Sequence, residues 1–255
     1  MTLSKAVGKQ RLFAFIHMKL DILALAAHPD DVELSSSGTL LKAILNGKKA
    51  GIVDFTRGEL GTRGTPEIRE AEANASARIL GLAARENLGF RDGFFKNDEE
   101  HQLEVIKMIR KYRPEIVLAN AYDDRHSDHG RASQLSKEAC FLSGLKNVRT
   151  QMDGMEQEAW RPKVVYHYIQ SIPSQPDFIV DVSEVWETKV ASIKAFASQF
   201  FDPNSNEPNT YISSPEFMKM VEARAIHYGH EIGVKYGEGF NVERMVGVGD
   251  VFDLI

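Results

Sequence analysis

The sequence predicts an α/β fold, a Rossmann-like, doubly wound and mostly parallel sheet with helices on both faces. Strand and helix patterns alternate four times between residues 20 and 142, which is typical of right-handed βαβ units. The strand patterns are short apolar runs, as expected of strands that are buried on both faces. No Pro-, Ser- or Gly-rich linker and no internal repeat divides the 255 residues. We therefore expect one domain over residues 18–255, preceded by a poorly ordered extension over residues 1–17.

The first half of the alternation begins with an apolar run at residues 20–27, which predicts a strand. Residues 34–45 have the apolar spacing of a helix, and residues 50–55 predict a second strand. The segment 57–66 contains three glycines and predicts an irregular connection, called here the glycine-rich loop. A helix is expected to follow over residues 67–80.

The second half repeats this order. Residues 85–88 predict a short strand, and residues 99–112 form an amphipathic helix pattern that Pro114 ends. Residues 115–119 predict a fourth strand, and residues 131–142 predict another helix.

The C-terminal third has a different pattern. Strands are expected at residues 163–169 and 178–182, and helices at residues 185–200 and 215–228. We expect this part to complete the sheet and to supply walls of a pocket, because nothing in it indicates an independent domain.

Composition narrows the class of partner. The net charge of −5 disfavours nucleic acid as the main partner. Cys140 is the only cysteine, which excludes an intramolecular disulfide and a Cys-rich metal site. Its helical context predicts a buried structural thiol. The apolar run at residues 12–16 is too short for a signal-peptide core, so we expect a cytoplasmic protein without a membrane partner.

Two clusters of histidines and carboxylates follow strands of the predicted sheet. The first strand ends in His28-Pro29-Asp30-Asp31, and the fourth is followed by the run DDRHSDH at residues 123–129. In the common strand order 3-2-1-4 these strands are neighbours, and ligands bind beyond the carboxyl ends of such strands. We therefore expect the two clusters to face one crevice.

These residue types suit a catalytic zinc site. Such a site takes three protein ligands and leaves a position for water, and one His and one Asp from the first cluster plus one His from the second meet that need. The spacing leaves open which aspartate binds the metal. A remaining carboxylate can accept a proton from water, and a remaining imidazole can stabilise an oxyanion.

A structural interpretation competes with this one, because aspartates at loop ends often cap helices. The presence of two clusters at matching strand ends favours the metal site. His227 and His230 also lie three residues apart, but they follow an amphipathic helix without a nearby carboxylate pair, and we expect them to be structural.

At these motifs the sequence resembles the LmbE-like, or PIG-L, N-acetylglucosaminyl deacetylase family, whose marks are an Ala-His-Pro-Asp-Asp strand end and a later His-x-Asp-His. The resemblance covers residues 18–255 as a single LmbE-like deacetylase domain. Further segments look like the bacterial branch that deacetylates N-acetylglucosaminyl malate in bacillithiol biosynthesis. They are TRGELGTRGT at 56–65, IREA at 68–71, Asp92-Gly93, SQF at 198–200 and GVKYGEGF at 233–240.

The resemblance implies that His28, Asp31 and His129 are the metal ligands, with Zn²⁺ as the cofactor and Fe²⁺ able to replace it. It also implies a homo-oligomer, a trimer or hexamer, acting on a small N-acetylated sugar conjugate whose aglycone the sequence does not fix.

The resemblance further implies roles for five other residues. Asp30 is expected to be the general base. His126 is expected to polarise or protonate the tetrahedral intermediate, oriented by Asp128. Arg69 is expected to bind the sugar or its aglycone, and Asp92 a sugar hydroxyl.

The sequence departs from the family pattern at two positions. Ser127 stands where the family usually has Pro, which changes no ligand. Phe196 stands where some relatives carry Tyr or His, so that position supplies no polar group to an oxyanion.

Three other functions stay open at this stage. One is deacetylation of another small N-acetylated sugar. Another is a non-haem iron oxygenase, whose facial triad also has two His and one carboxylate but which normally occurs in a jelly-roll-like fold. The third is a non-catalytic sugar-binding module with a closed structural metal site.

Overall fold

Within residues 18–253, which are those that the computed structural model describes, a seven-stranded sheet separates two layers of helices. The extension predicted over residues 1–17 lies outside the described residues. The strands are β1 (Ile22–Ala26), β2 (Ala50–Thr56), β3 (Ala84–Phe90), β4 (Ile116–Ala119), β5 (Gln151–Met152), β6 (Met155–Glu156), β7 (Val164–Tyr168), β8 (Phe178–Asp181) and β9 (Gly237–Val242). The helices are α1 (Asp31–Ser35), α2 (Ser37–Leu45), α3 (Pro66–Leu80), α4 (Glu99–Tyr112), α5 (Ser127–Leu142), α6 (Trp186–Lys194) and α7 (Phe217–Glu231).

The strand order is β3-β2-β1-β4-β7-β9-β8, and a separate hairpin pairs β5 with β6. The five strands from β3 to β7 are parallel, whereas β9 runs antiparallel to both β7 and β8. The predicted fold class and the predicted order 3-2-1-4 are therefore confirmed. As a consequence, the carboxyl ends of β1 and β4 are adjacent.

The central strand β1 is buried on both faces. Ile22 and Ala24 contribute to one apolar cluster, together with side chains from α2, α3, α6 and α7. Leu23 and Leu25 point to the opposite face and pack with α4 and α5. Each fully buried leucine contributes about 2 kcal/mol of transfer free energy. This burial fixes the position of the loop that follows β1.

Strand β9 was missed by the sequence analysis, because Gly237 and Gly239 weaken its apolar pattern. Both glycines lie where helix α7 crosses the sheet closely. A Cβ atom at Gly239 would lie 2.9 Å from the ring of Tyr228, and one at Gly237 would lie 2.9 Å from the backbone nitrogen of Gly229. The glycines therefore serve close packing between helix and strand.

Two helix boundaries differ from prediction in a way that affects the crevice. The first helical segment begins at Asp31 rather than at residue 34, and it is interrupted at Ser36. Helix α5 begins at Ser127 rather than at residue 131. Consequently Asp31 and His129 both lie in the first turns of helices, which hold their backbones rigidly.

The predicted helix over residues 185–200 ends earlier, at Lys194. The chain then turns, and Ser198 donates its backbone N–H and its hydroxyl to the carboxylate of Glu72 on α3. These two hydrogen bonds replace a further helical turn. In the described part of the chain, no helix combines the length and the apolar character needed to cross a bilayer.

Candidate active site

The loops after β1 and β4 bring three histidines together. The ring centroids of His28 and His126 are 4.6 Å apart, and those of His28 and His129 are 5.5 Å apart. His126 and His129 are separated by 5.2 Å. The expected meeting of the two clusters is thus seen in the structure.

Asp31 lies between His28 and His129. One carboxylate oxygen, Oδ1, is 3.0 Å from Nε2 of His129, and the other, Oδ2, is 3.7 Å from Nδ1 of His28. All three residues are buried. Two imidazole nitrogens and a carboxylate therefore face one another at the end of the sheet.

The ring nitrogens that point away from Asp31 are held by other carboxylates. Nε2 of His28 lies 3.0 Å from Asp92 and 3.3 Å from Asp128, and Nδ1 of His129 lies 2.6 Å from Asp124. In metal sites, a ligating histidine almost always donates its other N–H to such a partner. The donor set of His28, Asp31 and His129 therefore fits a divalent cation.

Two overlapping groups of donor atoms lie close enough for metal binding within residues 18–253. In each, the atoms lie within 4.8 Å of one another: His28, His126 and His129 in one group, and His28, Asp92 and Asp128 in the other. Asp31 belongs to neither group but contacts members of both by the distances given above. His126 is thus close enough to compete with Asp31 as a ligand.

The protonation of these groups follows from their packing. Burial alone would lower the pKa of His129, but Asp31 and Asp124 raise it to about 9. Burial opposes the ionised form of Asp31 as well, yet His129 and His28 hold its pKa well below the usual value. In the absence of a cation the pair is therefore ionised, and a proton occupies the nitrogen that a cation would take.

Asp30 has a different environment from Asp31. Its φ of 111° is rare for a residue with a side chain. Its carboxylate is 3.2 Å from Nη2 of Arg69 and is otherwise buried. Burial raises the pKa of Asp30 to about 7, although Arg69 opposes the rise. A carboxyl group with this pKa exchanges protons near neutral pH.

His126 borders the cavity and is half-buried. Its Nδ1 accepts a hydrogen bond of 3.2 Å from the backbone N–H of Asp128. Burial and the neighbouring His28 lower the pKa of His126, which favours the neutral ring. Because Nδ1 is the acceptor, the proton of the neutral ring lies on Nε2, which is then a donor.

The family resemblance implies that Asp128 orients His126. The structure places its carboxylate elsewhere, 3.3 Å from His28 and 2.8 Å from the N–H of Gly93, with a further ion pair to Arg131. The hydrogen bond between Asp128 and His126 is made by the backbone N–H of Asp128. The side chain of Asp128 thus positions His28, because helix α5 begins early and turns the carboxylate towards β1.

The two predicted substrate-binding residues both line the cavity. Arg69 donates to the carbonyls of Pro29 and Gly58 as well as to Asp30. Asp92 accepts from the backbone N–H of Leu60 and contacts His28. Each residue therefore also holds the loops around the candidate metal site.

Two polar residues beside Asp31, Asn120 and Gln170, were missed from the sequence, and Asp124 was placed in the second cluster without a role of its own. Asn120 and Gln170, at the ends of β4 and β7, donate 3.0 and 3.1 Å hydrogen bonds to the Asp31 carboxylate. Asp124 holds His129 as described. Asn120 and Gln170 each follow an apolar run that predicts a strand. That position could have indicated their place beside the site, because the carboxyl ends of parallel strands lie at one edge of the sheet.

The structure accounts for the two departures from the family pattern, Ser127 and Phe196. Ser127 is the first residue of α5, a position that also suits proline. Phe196 is fully buried, and the guanidinium of Arg85 lies 5.7 Å from the centre of its ring. Phe196 is therefore a core residue.

His227 is exposed on α7 and borders the cavity, whereas Cys140 is buried as predicted.

The candidate metal ligands His28, Asp31 and His129 line a cavity of about 910 Å³. The cavity is also lined by residues of the loop 170–176 and of the chain from Tyr211 to Glu231. This part is rich in apolar and aromatic side chains, namely Pro173, Pro176, Tyr211, Ile212, Phe217, Met220, Val221 and Tyr228. A cavity of this size is at the upper end of the range for small-molecule sites.

Comparison with known proteins identifies relatives with this fold. Residues 23–140 match the model of the family described as PIG-L: GlcNAc-PI de-N-acetylase. A solved structure of a conserved protein from Thermus thermophilus is 36% identical and superposes with a TM-score of 0.80, covering 90% of this chain and 98% of that one.

Several relatives have named activities, and two of them are described here. The diacetylchitobiose deacetylase of Thermococcus kodakarensis is 28% identical over 232 residues, which are 86% of this chain and 81% of that protein. The 4-oxalmesaconate hydratase of Pseudomonas putida is 26% identical over 192 residues, or 69% of this chain and 73% of that protein. PIG-L deacetylases are metal-dependent, in agreement with the cluster of histidines and aspartates described above. The chain belongs to the PIG-L/LmbE-like family, whose deacetylases act on amide bonds.

Proposed function

We propose that the chain is a zinc-dependent hydrolase that removes the N-acetyl group from an N-acetylglucosaminyl conjugate, namely N-acetylglucosaminyl malate in bacillithiol biosynthesis. One observation carries the proposal. Two imidazole nitrogens and the Asp31 carboxylate face one another, each imidazole is held from behind by a carboxylate, and Asp30 is beside them. The deacetylase relative supports the reaction type, and the segments at 56–65 and 233–240 support the branch.

His28, Asp31 and His129 would hold Zn²⁺, or Fe²⁺ in its place. A cation bound there acts as a Lewis acid, which lowers the pKa of water towards about 7 and polarises an amide carbonyl. Neutral imidazole and carboxylate ligands suit either ion. Asn120 and Gln170 fix the Asp31 carboxylate from the side of the sheet.

Asp30 is the proposed general base. With a pKa of about 7, its carboxylate can accept a proton from the attacking water and pass one to the departing amine. The amide C–N bond breaks, the water oxygen remains on the acetyl carbon, and acetate and a free glucosamine amine leave. Arg69 holds the carboxylate in place for both transfers.

His126 is the proposed donor to the oxyanion. Its Nδ1 is occupied as an acceptor, so that Nε2–H is available for the oxygen of the tetrahedral intermediate. The lowered pKa of His126 keeps the ring neutral before the reaction. Asp128 contributes to this step through its backbone N–H.

The substrate is proposed to lie along the cavity, with the acetamide near His28. Arg69 and Asp92 border this end and would contact the sugar. The remaining cavity, beyond what one sugar ring fills, would accommodate the aglycone. This size is consistent with a conjugate, as opposed to free N-acetylglucosamine.

The proposal is tested by metal content and turnover measured on the same samples. Asp30→Asn should retain bound metal but lose a factor of about 100 to 10,000 in kcat, because it removes the base and keeps the shape. His129→Ala should lose the metal. Amine release from N-acetylglucosaminyl malate should exceed that from N-acetylglucosamine in the wild-type protein.

Two outcomes would overturn it. Equal turnover of the Asp30→Asn and wild-type proteins would remove Asp30 from the mechanism. If the metal-loaded wild-type protein releases acetate from neither compound, the proposed reaction is wrong. In that case the similarity to the 4-oxalmesaconate hydratase makes hydration of an unsaturated carboxylate the second candidate, which loss of substrate absorbance would detect.

We also propose that the chain forms a homo-oligomer, a trimer or hexamer. In the C-terminal segment, Met245 is 93% exposed and Phe252 is 89% exposed. Burial of such apolar side chains between subunits favours assembly. Light scattering on the purified protein tests this, and a monomer at micromolar concentration would contradict it.

The cytoplasmic location stays a prediction, testable by cell fractionation.

A further inference from the structure

Arg63 connects two segments that border the cavity from different parts of the chain. It lies in the glycine-rich loop, yet its guanidinium reaches residues near position 206. Its Nε is 3.2 Å from a carboxylate oxygen of Glu207, and its Nη2 donates a 2.9 Å hydrogen bond to the hydroxyl of Ser205. Arg63 itself is 4% exposed. No motif in the sequence indicates a role for Arg63.

The segment that Arg63 reaches is called here the strap, residues 198–213. It leaves the core after α6 and is irregular over its whole length. Its first residues are fixed to the glycine-rich loop, since Gln199 donates a 2.8 Å hydrogen bond to the carbonyl of Arg63. Gly64 makes this approach possible. Its φ is 70°, and a Cβ atom there would lie 2.6 Å from the hydroxyl of Ser198.

Both segments form walls of the same cavity. The glycine-rich loop supplies Leu60 and Gly61, and the strap supplies Tyr211 and Ile212. The middle of the strap, between these fixed points, is largely exposed. Arg63 therefore connects the exposed middle of the strap to the glycine-rich loop.

We propose that Arg63 is a positioning residue whose bonds to Ser205 and Glu207 keep the strap ordered against the glycine-rich loop, so that the cavity is preformed for conjugates long enough to reach the strap. The chemical reason is the burial of the guanidinium. A buried cation needs a charged partner, and in the described part of the chain its ion pair is with Glu207. This fixes Glu207, and with it the strap, in one arrangement.

The consequence for binding follows from conformational entropy. If the strap is ordered before binding, a conjugate that contacts Tyr211 and Ile212 does not have to order it. Without the bonds of Arg63, a long substrate has to order the strap when it binds, and this entropic cost raises its KM. A single sugar held near His28 is shorter and makes fewer contacts with the strap, so its KM should change less than that of a conjugate. This consequence rests on the deacetylase function proposed above, whereas the mechanical link is independent of it.

The link is tested by hydrogen exchange of the full-length protein, with Arg63→Met compared with wild type. Peptides that cover residues 200–213 should exchange about tenfold faster in the variant, because hydrogen bonds to a charged group are lost. Arg57→Met is the matched control. Arg57 lies in the same loop but pairs with Glu67 and Glu70 on the surface, so the strap should exchange at the wild-type rate.

The kinetic arm compares N-acetylglucosaminyl malate with N-acetylglucosamine. Arg63→Met should raise KM for the conjugate at least about fivefold, with kcat within about twofold, and should raise KM for the single sugar by a smaller factor. Arg63→Lys, which keeps the charge, should restore part of the difference.

Unchanged exchange of the strap in Arg63→Met would overturn the proposal, as would a loss of kcat on both substrates with KM constant. Absence of deacetylation by the wild-type protein would contradict the proposed function alone, because the exchange measurement needs no substrate. Faster exchange in Arg57→Met as well would show a general loosening of the loop, and would also overturn the assignment to Arg63.

Discussion

A carboxylate oxygen of Asp124 lies 2.6 Å from Nδ1 of His129, on the opposite side of the ring from Asp31. Its other oxygen accepts from the backbone N–H of Ile172. Asp124 therefore fixes both the tautomer and the plane of the His129 ring. It ties the β4 loop to the loop after β7, and both loops border the candidate metal site.

Asp124→Asn should weaken metal binding by a factor of about 10 to 100, which is the usual cost of losing the carboxylate behind a ligating histidine. Zn²⁺ affinity measured by competition with a chelator checks this. Asp98→Asn is the control, because Asp98 makes the same 2.6 Å contact with a histidine, His101, outside the site. Unchanged affinity in Asp124→Asn would contradict the role of His129 as a ligand supported by Asp124.

Metal binding should release protons. With its pKa raised to about 9, His129 is protonated in the metal-free protein throughout the neutral range, and a cation must displace that proton. Affinity should therefore increase as pH rises from about 6 to about 9. Calorimetry in buffers of different ionisation enthalpy counts the protons released, and a count of zero at pH 7 would contradict the prediction.

Glu238 joins strand β9 to helix α2. It accepts hydrogen bonds from the backbone N–H groups of Gly38 and Thr39 and from Lys189 Nζ, at 2.7 to 2.9 Å. Both charged side chains are 2% exposed. Glu238→Gln leaves Lys189 as a buried cation without its anion, which costs about 3 kcal/mol.

This loss should lower Tm by about 6 °C or more in a chain of this size, measured by scanning calorimetry. The control is Glu115→Gln, which removes surface ion pairs with Lys19 and Lys163 and should leave Tm nearly unchanged. Equal Tm values for Glu238→Gln and wild type would show that the buried pair contributes nothing net.

Cys140 should be inert in the native protein. The thiol is 4% exposed, and burial raises its pKa well above the usual value, so the reactive thiolate is scarce. A thiol reagent should modify the folded protein very slowly and should titrate one thiol per chain in denaturant. Rapid modification of the folded protein would show that α5 opens readily.

The alternating patterns of the sequence were enough to predict the sheet, its first four strands and the meeting of His28 with His129. This succeeded because hydrophobic periodicity is local, and because parallel strands necessarily place their carboxyl ends at one edge. The same reasoning identified Cys140 as buried. Family resemblance added the distinction between Asp30 and Asp31. Both side chains are buried, and they differ in their charge partners, which are Arg69 for Asp30 and the two histidines His28 and His129 for Asp31.

The tertiary structure alone decided which side chains support those residues. Gln170 reaches Asp31 across 139 positions of sequence, and Arg63 reaches Glu207 across 144. Strand β9 forms because its glycines admit α7, although the local pattern opposes a strand. The carboxylate of Asp128 serves His28 because α5 begins at Ser127. Sequence by itself determined the elements and the metal-binding residue types, since these follow from local periodicity and chemistry. The partners that orient them were decided by packing between distant segments, which no local pattern records.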